Sequence, residues 1–291
     1  MAFLVREVPR WPVKNRCYSC HNNGDAARAL YEADRLTGMV PAAALDATTR
    51  WLGRPERWKH NGGEGPFNDP VLARVQFSAA LTMALDTGHW RDRSSLVRAA
   101  DLLAADQRPD GAWQIDPEES VGSPAAYGNT LATAVSCRTL RRADPGRFRT
   151  QIACADRWLR SKEVHNVFDA AAILLGLNGA TDDAAQAQRR RCLALIRKGQ
   201  SNEGGWGPYV KAPAEPFDTA VVLLALAPLR GREDIDQMRS HGRDFLVSLQ
   251  EEDGGWPATT RPPGTESYAE RLSTTGWATL ALLATPPRTP R

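Results

Sequence analysis

The segment Gln200-Ser-Asn-Glu-Gly204-Gly-Trp206 has the spacing Gln-x-x-x-Gly-x-Trp, and two further segments of this 291-residue chain share it. They are Gln107-Arg-Pro-Asp-Gly111-Ala-Trp113 and Gln250-Glu-Glu-Asp-Gly254-Gly-Trp256. Each copy closes one apolar stretch of helical periodicity, and another such stretch follows after a loop. A repeat of roughly 45–55 residues is typical of stacked helix pairs.

The chemistry of this motif suits the end of a helix. Its Gln can bond to backbone groups that the last helical turn leaves open. Its Gly adopts backbone angles that other residues avoid. Its Trp covers the turn with a large apolar face and offers one N–H donor. We therefore expect the three tryptophans to lie in peripheral turns.

Two kinds of helix alternate along the chain. The first kind is apolar on most faces and is predicted at Gly24–Ala33, Leu72–Leu85, Asn129–Leu140, Phe168–Leu177, Phe217–Leu226 and Ser273–Leu283. The second kind is amphipathic and Arg-rich, and is predicted at Ala42–Leu52, Ser94–Gln107, Phe148–Arg160, Ala184–Gln200 and Ile235–Gln250. A helix that is apolar nearly all round is enclosed by other elements.

The alternation predicts an all-α fold, a single (α/α)6 toroid with an inner ring of helices inside an outer ring. The toroid is expected over residues 24–285, after an N-terminal segment at 1–23 and before a disordered tail at 286–291. The last inner helix has no outer partner after it in the sequence, so either that partner is missing or the first element supplies it.

Composition limits the classes of function. The 37 basic and 34 acidic residues give a net charge of +3, and they are mixed along the amphipathic helices, which indicates a solvated outer face rather than a nucleic-acid surface. No apolar run approaches the roughly 20 residues that span a bilayer, so no transmembrane segment is expected. Peripheral membrane contact and binding of an apolar small molecule stay open, and the sequence indicates no oligomeric state.

The three motifs, together with Phe217-Asp-Thr-Ala-Val-Val-Leu-Leu-Ala-Leu226, resemble the terpenoid cyclase superfamily of squalene-hopene cyclases and protein prenyltransferases. The resemblance covers roughly residues 24–285. It implies a toroid around an apolar cavity, with a functional rim formed by the loops that run from outer to inner helices.

The resemblance also allows the catalytic positions to be compared. Proton-initiated cyclases carry an Asp-x-Asp-Asp-Thr-Ala stretch whose middle Asp is the acid, and the matching stretch here is Glu215-Pro-Phe217-Asp218-Thr-Ala. Phe217 stands at the position of the proton donor and cannot donate a proton, so cyclisation by the family mechanism is not expected. Asp218 and Glu215 are the candidate catalytic residues that remain. The Asp-x-Cys zinc motif of the prenyltransferase branch is absent.

Three predicted inner helices open with the same pattern, at Asp25, Asp169 and Asp218. An Asp at a helix start accepts bonds from free backbone N–H groups and faces the positive end of the helix dipole. Helix capping is therefore the first interpretation, and a role at the rim of the cavity is the alternative.

Cys17-Tyr-Ser-Cys20-His21 has the Cys-x-x-Cys-His spacing of a c-type haem attachment site. In that interpretation Cys17 and Cys20 bind haem covalently and His21 is an axial ligand. His60 and His165 also precede inner helices, so either is a candidate second ligand on the same rim. A zinc site and a site without a cofactor are the alternatives. Haem attachment predicts an exported, periplasmic protein with a removed leader, and without haem the expectation is cytoplasmic.

These residues fit three functions. The first is a cyclase-like toroid without the proton donor, which binds an apolar ligand or carries a redox cofactor at its rim. The second is an active enzyme on an isoprenoid or terpenoid substrate, a cyclase or a transferase. The third is a non-catalytic interaction scaffold. Phe217 favours the first and the third.

Overall fold

The structure, a computed structural model, describes residues 1–63, 65–261, 264 and 266–287. Within these ranges the regular elements are helices and short helical turns, as the periodicity predicts. The α-helices are α1 (Ala2–Asn15), α2 (Ala27–Thr37), α3 (Asp46–Leu52), α4 (Pro70–Asp86), α5 (Arg93–Asp106), α6 (Gly128–Ala143), α7 (Arg149–Ser161), α8 (Val167–Gly176), α9 (Asp183–Gly199), α10 (Pro216–Leu226), α11 (Glu233–Ser248) and α12 (Tyr268–Ala284). A π-helical segment (Cys20–Ala26) runs directly into α2.

The even-numbered helices form the inner ring. Each packs against the next in the order α2, α4, α6, α8, α10 and α12, and α12 packs back onto α2 and its π-helical segment. Near the helix starts, Asp25 bonds to Gln76 of α4 and to Ser273 of α12. Near the helix ends, Arg142 of α6 pairs with Asp86 of α4 at 2.6 Å. Neighbouring inner helices therefore run parallel, and the predicted (α/α)6 toroid is confirmed.

The outer helices α3, α5, α7, α9 and α11 each pack against the inner helices beside them. The predicted helix pairs agree with the structure, but the first and last inner helices begin earlier than expected, at Cys20 and Tyr268. Of the predicted tail, residues 288–291 lie outside the described residues. Among the described helices, none combines the length and hydrophobicity of a membrane-spanning segment.

The N-terminal segment is part of the toroid, and the predicted boundary at residue 23 is wrong. Phe3, Leu4 and Val8 of α1 are buried in the same core cluster as Leu30. α1 packs against the π-helical segment and α12, so the first element supplies the outer partner of the last inner helix. The sequence obscured this helix because α1 contains two prolines, which usually interrupt helices.

The tryptophan of each repeated motif joins an outer helix to the next inner helix. The Trp206 indole N–H donates to the Ile196 carbonyl of α9 at 2.8 Å, and its backbone N–H donates to Thr219 Oγ1 of α10 at 2.9 Å. The same two bonds recur for Trp113 with Leu103 and Thr133, and for Trp256 with Leu246 and Thr275. All three tryptophans are buried in turns outside the inner ring.

The glutamine and glycine of the motif stabilise the same turn. Gln200 Nε2 donates to the Gly204 carbonyl at 2.8 Å and to the Met238 carbonyl of the next outer helix at 2.9 Å. Gly204 has a φ of 93°, a left-handed conformation that favours glycine. The motif therefore fixes the turn and also binds one helix pair to the next.

Replacing Gln200 with alanine is expected to lower the free energy of unfolding by about 2 kcal/mol, because two backbone carbonyls lose a donor. Gln250 is the matched control, since it is exposed and makes one such bond, at 3.1 Å. For Gln250→Ala we expect the free energy of unfolding to fall by less than about 1 kcal/mol. Urea denaturation of both variants measures the difference, and equal losses would contradict the role assigned to Gln200.

Candidate functional site

A cavity of about 500 Å³ lies inside the ring and reaches the carboxyl-terminal ends of the inner helices. Its apolar wall includes Met83, Val135, Leu224, Trp277 and Leu280, which come from four different inner helices. The functional rim was predicted at the opposite end, where the inner helices begin. The cavity opens toward the other rim because aromatic rings fill the axis near the helix starts.

Four aromatic rings close the base of the cavity. Trp277 lines the cavity and lies 5.4 Å from Phe217 and 5.8 Å from Tyr127, measured between ring centroids. Phe168 lies 6.3 Å from Phe217 on the far side. Burial raises the pKa of Tyr127 well above its ordinary value, so its hydroxyl stays neutral. The cluster leaves Phe217, the residue at the family's proton-donor position, fully enclosed.

Four charged residues, Arg28, Asp86, Arg138 and Arg141, line the cavity beside its apolar wall. Arg28 comes from the start of α2, is 7% exposed, and places its guanidinium 4.2 Å from the centre of the Trp277 ring. Arg138 comes from α6, lines the cavity and is exposed to solvent. Burial lowers the pKa of Arg138, and the nearby charge of Arg28 lowers it further.

The sequence reasoning missed both arginines, although the sequence holds a signal for them. Each lies within a helix whose other faces are mostly small or apolar. A charged residue on an enclosed helix must find either a partner or a cavity. That rule would have separated Arg28 and Arg138 from the arginines of the outer helices.

A buried ionic cluster lies beside the aromatic rings. Arg261 donates to Glu215 at 2.7 Å and also to Asp218, and its guanidinium lies 5.5 Å from the centre of the Phe168 ring. Asp218 is fully buried, and its second carboxylate oxygen has no hydrogen-bond partner in the described part of the chain. Burial raises the pKa of Asp218, the neighbouring Glu215 adds to that rise, and Arg261 opposes it.

The pKa of Asp218, raised to about 8, predicts a pH dependence of stability. Between the unfolded value of about 3.9 and the folded value, the folded chain holds a proton that the unfolded chain has lost, so stability falls as pH rises through this window. Asp218→Asn removes that titration. The free energy of unfolding of the variant, relative to that of the wild type, should rise by on the order of a few kcal/mol from about pH 5 to about pH 9. Urea denaturation at both pH values checks this, and parallel changes in the two proteins would contradict it.

In the described part of the chain, none of the three aspartates accepts a capping bond from its own helix, although Asp169 and Asp218 lie in the first turns of α8 and α10, as the dipole interpretation expects. Asn166 caps α8 by accepting from the Asp169 backbone N–H at 2.7 Å, and Asp169 in turn accepts from the Asn166 amide. Asp218 bonds to Arg261 instead of to its own helix. Asp25 is fully buried and joins three elements, because one oxygen accepts from both Gln76 and Ser273 at 2.7 Å. Asp25 and Asp218 thus bond to side chains outside their own helices, whereas Asp169 bonds to the cap residue of its own helix.

The predicted metal ligands do not come together. His165 is exposed and lies 3.1 Å from Glu163, and it precedes α8, which is opposite α2 in the ring. His60 is also exposed, although the neighbouring Asn61 carbonyl accepts from the Tyr18 backbone N–H at 2.6 Å. In the described ranges, no group of three His, Cys, Asp or Glu side chains is arranged to hold a metal ion. The zinc alternative is not supported.

Cys17, Cys20 and His21 lie half-buried at and just before the start of the π-helical segment. Between the two cysteines, the ring of Tyr18 stacks on Trp51 with centroids 4.3 Å apart. Desolvation raises the pKa of the Cys20 thiol and lowers that of His21. None of the three motif residues lines the cavity. Covalent haem stays a prediction that the structure does not support, and no chemical step is derived through it.

Comparisons with known proteins agree with this architecture. The chain is 22% identical to a probable squalene–hopene cyclase of Sinorhizobium fredii, over 85% of this chain and 44% of that protein. It is 27% identical to the drimenyl diphosphate synthase of Streptantibioticus cattleyicolor, over 76% of this chain and 42% of that protein. The chain thus spans less than half the length of these curated relatives. No protein-family model matches it.

A solved structure extends the likeness to nearly the whole chain. The type II terpene cyclase MstE from Scytonema, in complex with its substrate geranylgeranyl dihydroxybenzoate, superposes with a TM-score of 0.61 at 15% identity. The match covers 91% of this chain and 88% of that one. The closed ring of parallel inner helices, the repeated Gln/Gly/Trp turns and this superposition lead to one conclusion: the chain has the α/α toroid fold of the terpene cyclases.

Proposed function

We propose that this chain binds an isoprenoid-like ligand in the cavity of the ring and does not begin cyclisation at position 217. The observation that carries the proposal is the cavity itself, about 500 Å³ with an apolar wall and an aromatic base. That volume lies within the range of small-molecule sites, roughly 300–1,000 Å³. MstE, which shares the fold, was solved with a geranylgeranyl substrate.

The ligand contacts are expected on the side chains that narrow the cavity. Met83 and Val135 supply flexible and branched apolar surface on one side, and Leu224 and Leu280 supply it on the other. Burying apolar ligand surface against such a wall stabilises binding by roughly 25 cal/mol per Å². Trp277 adds aromatic surface at the base of the cavity.

Phe217 explains why binding is proposed without the family's acid step. Its side chain is fully buried between Tyr127, Phe168 and Trp277, and a phenyl ring has no proton to give. Phe217 does not line the cavity, and a ligand at the base would contact Trp277 in front of it.

Binding of farnesol, followed by isothermal titration calorimetry, tests the proposal. Leu224→Trp fills the cavity and should weaken binding by about tenfold or more, because the ligand loses its space. Val247→Trp is the matched control, since Val247 is 52% exposed on the outer helix α11. Thermal unfolding establishes that both variants fold. The proposal fails if the wild type shows no saturable binding, or if both substitutions weaken it equally.

A second candidate is proton-initiated cyclisation with Asp218 as the acid. It is favoured by the burial of Asp218, which raises its pKa and keeps the carboxyl protonated, and by its carboxylate oxygen without a partner. Asp218 does not line the cavity, so this function needs the aromatic base to rearrange. Mass spectrometry of products from farnesyl diphosphate and squalene tests it. Cyclic products that vanish in Asp218→Asn but persist in Asp169→Asn would establish it over binding alone.

A further inference from the structure

We propose that residues 117–126, which connect the turn of Trp113 to α6, form a lid that opens as a unit and admits solvent to the buried pair of Arg261 and Asp218. The lid precedes α6, so it lies at the end of the ring where the inner helices begin, opposite the mouth of the cavity. The inference goes beyond the proposed function, because it does not depend on what the cavity binds.

The two ends of the lid are held together at one point. The side chain of Asn129 accepts from the Ile115 and Asp116 backbone N–H groups at 2.8 and 2.9 Å, and it donates to the Asp116 carbonyl at 2.9 Å. The Asp116 carboxylate in turn accepts from the backbone N–H groups of Glu118 and Ser120. A loop with closed ends and its own internal bonds is a compact Ω-type loop, which can open locally while the helices beside it stay folded.

The lid has an exposed tip and a buried inner side. Residues 117–120 are exposed, whereas Gly122 and Ala126 are buried. Gly122 lies directly against Arg261, because a Cβ atom at this position would lie 2.4 Å from Arg261 Nη1. The buried inner side thus consists of small groups, so opening of the lid exposes little apolar surface.

The closed lid contains backbone conformations that oppose closure. Glu119, Ala125 and Ala126 have φ values of 55°, 54° and 60°, in the left-handed region that residues with side chains rarely adopt. Such residues persist only where the surrounding structure imposes them, and they are frequent in ligand clamps and switch segments. Opening of the lid would release all three to more favourable backbone angles.

Two buried polar atoms beside the lid also favour opening. In the part of the chain that the structure describes, Arg261 Nη1 and one carboxylate oxygen of Asp218 have no hydrogen-bond partner. An unpaired buried donor or acceptor is costly, and water would satisfy both atoms when the lid is open. Backbone strain and desolvation therefore both oppose the packing of the lid, which brings the open state within reach of native fluctuations.

Hydrogen exchange followed by mass spectrometry tests whether the lid opens as a unit. In the wild type, the backbone amides of residues 117–126 should exchange together, about tenfold or more faster than the amides within α10, which belong to the core of the ring. Phenylglyoxal, a reagent that modifies accessible arginines, should react with Arg261 at a rate that follows the exchange of the lid. Peptide mass spectrometry measures this rate.

Two substitutions at the exposed tip provide a matched comparison. Glu118→Gly and Glu119→Gly add the same flexibility to the open lid, but position 119 has a left-handed φ that glycine adopts without strain. Lid exchange and Arg261 modification should both be about fivefold or more slower in Glu119→Gly than in Glu118→Gly.

The contact of the lid with Arg261 is tested by Gly122→Ala, whose added Cβ has no space while the lid is closed. This variant should accelerate both lid exchange and Arg261 modification. Gly179→Ala is its control, since Gly179 also has a positive φ, 82°, but has open space around it and lies outside the lid. Arg271, also outside the lid, should react with phenylglyoxal at the wild-type rate in every variant. Thermal unfolding establishes that each variant is folded.

Each outcome decides the proposal. Lid amides that exchange only as slowly as those within α10, or equal rates in Glu118→Gly and Glu119→Gly, would overturn the lid. Lid exchange that responds to the substitutions while Arg261 modification does not would overturn its role as a gate. Parallel changes in both rates, with Arg271 unaffected, support the proposal. The ligand-binding function stands or falls separately, by the titration with farnesol.

Discussion

The Phe217→Asp variant is expected to lose most or all of its folded stability rather than to gain a catalytic acid. Removing a fully buried phenyl ring costs about 3–5 kcal/mol, and its ring here contacts three other aromatic rings. The new carboxyl would also be buried beside Asp218, so it would have to be desolvated next to a second acid. Together these costs approach the free energy of unfolding of a typical domain, which is roughly 5–15 kcal/mol.

Phe217→Leu is the matched control, because it shortens the side chain without adding a polar group. We expect the free energy of unfolding of this variant to fall by about 1–3 kcal/mol. Circular dichroism during urea denaturation measures both. A Phe217→Asp variant as stable as Phe217→Leu would mean that the position is open to water and that the aromatic base is not closed.

Arg261→Ala is expected to destabilise the chain by about 2–3 kcal/mol, because the buried Asp218 and the neighbouring Glu215 lose the hydrogen-bond donor that they share. Arg271 offers a close comparison. It also bonds to two carboxylates, Glu251 and Asp253, but both are more exposed than Asp218. Solvent screens such pairs, so Arg271→Ala should cost about 1 kcal/mol.

The two arginine variants are compared by urea denaturation at neutral pH. Equal losses for Arg261→Ala and Arg271→Ala would contradict the role of burial in the Asp218 cluster. A loss that is large only for Arg261→Ala would support it.

The sequence predicted the toroid well because its signals are local. The bonds of Gln200 and Trp206 follow from a fixed spacing within one turn, and that spacing recurs in the chain. The alternation of apolar and amphipathic helices then determines which helices are inner. Helix α1 was missed because its prolines hide its periodicity, and only its packing against α12 reveals its place.

The candidate site was harder to predict because its residues meet only in three dimensions. Arg28 and Trp277 are far apart in the sequence, and their contact depends on the closure of the ring. The Cys-x-x-Cys-His spacing of Cys17, Cys20 and His21 predicted a cofactor from local order alone. Space for a cofactor depends on the surrounding packing, such as the stacking of Tyr18 on Trp51, which local order does not reveal.

Ligand binding inside the ring can be tested directly by photoaffinity labelling with a farnesol analogue that carries a diazirine on its chain. Peptide mass spectrometry after irradiation should find adducts on segments that line the cavity, around Met83, Val135 and Leu224, and unlabelled farnesol should suppress them. Adducts confined to the outer surface, or to the groove of Trp11 and Tyr268 between α1 and α12, would contradict binding inside the ring.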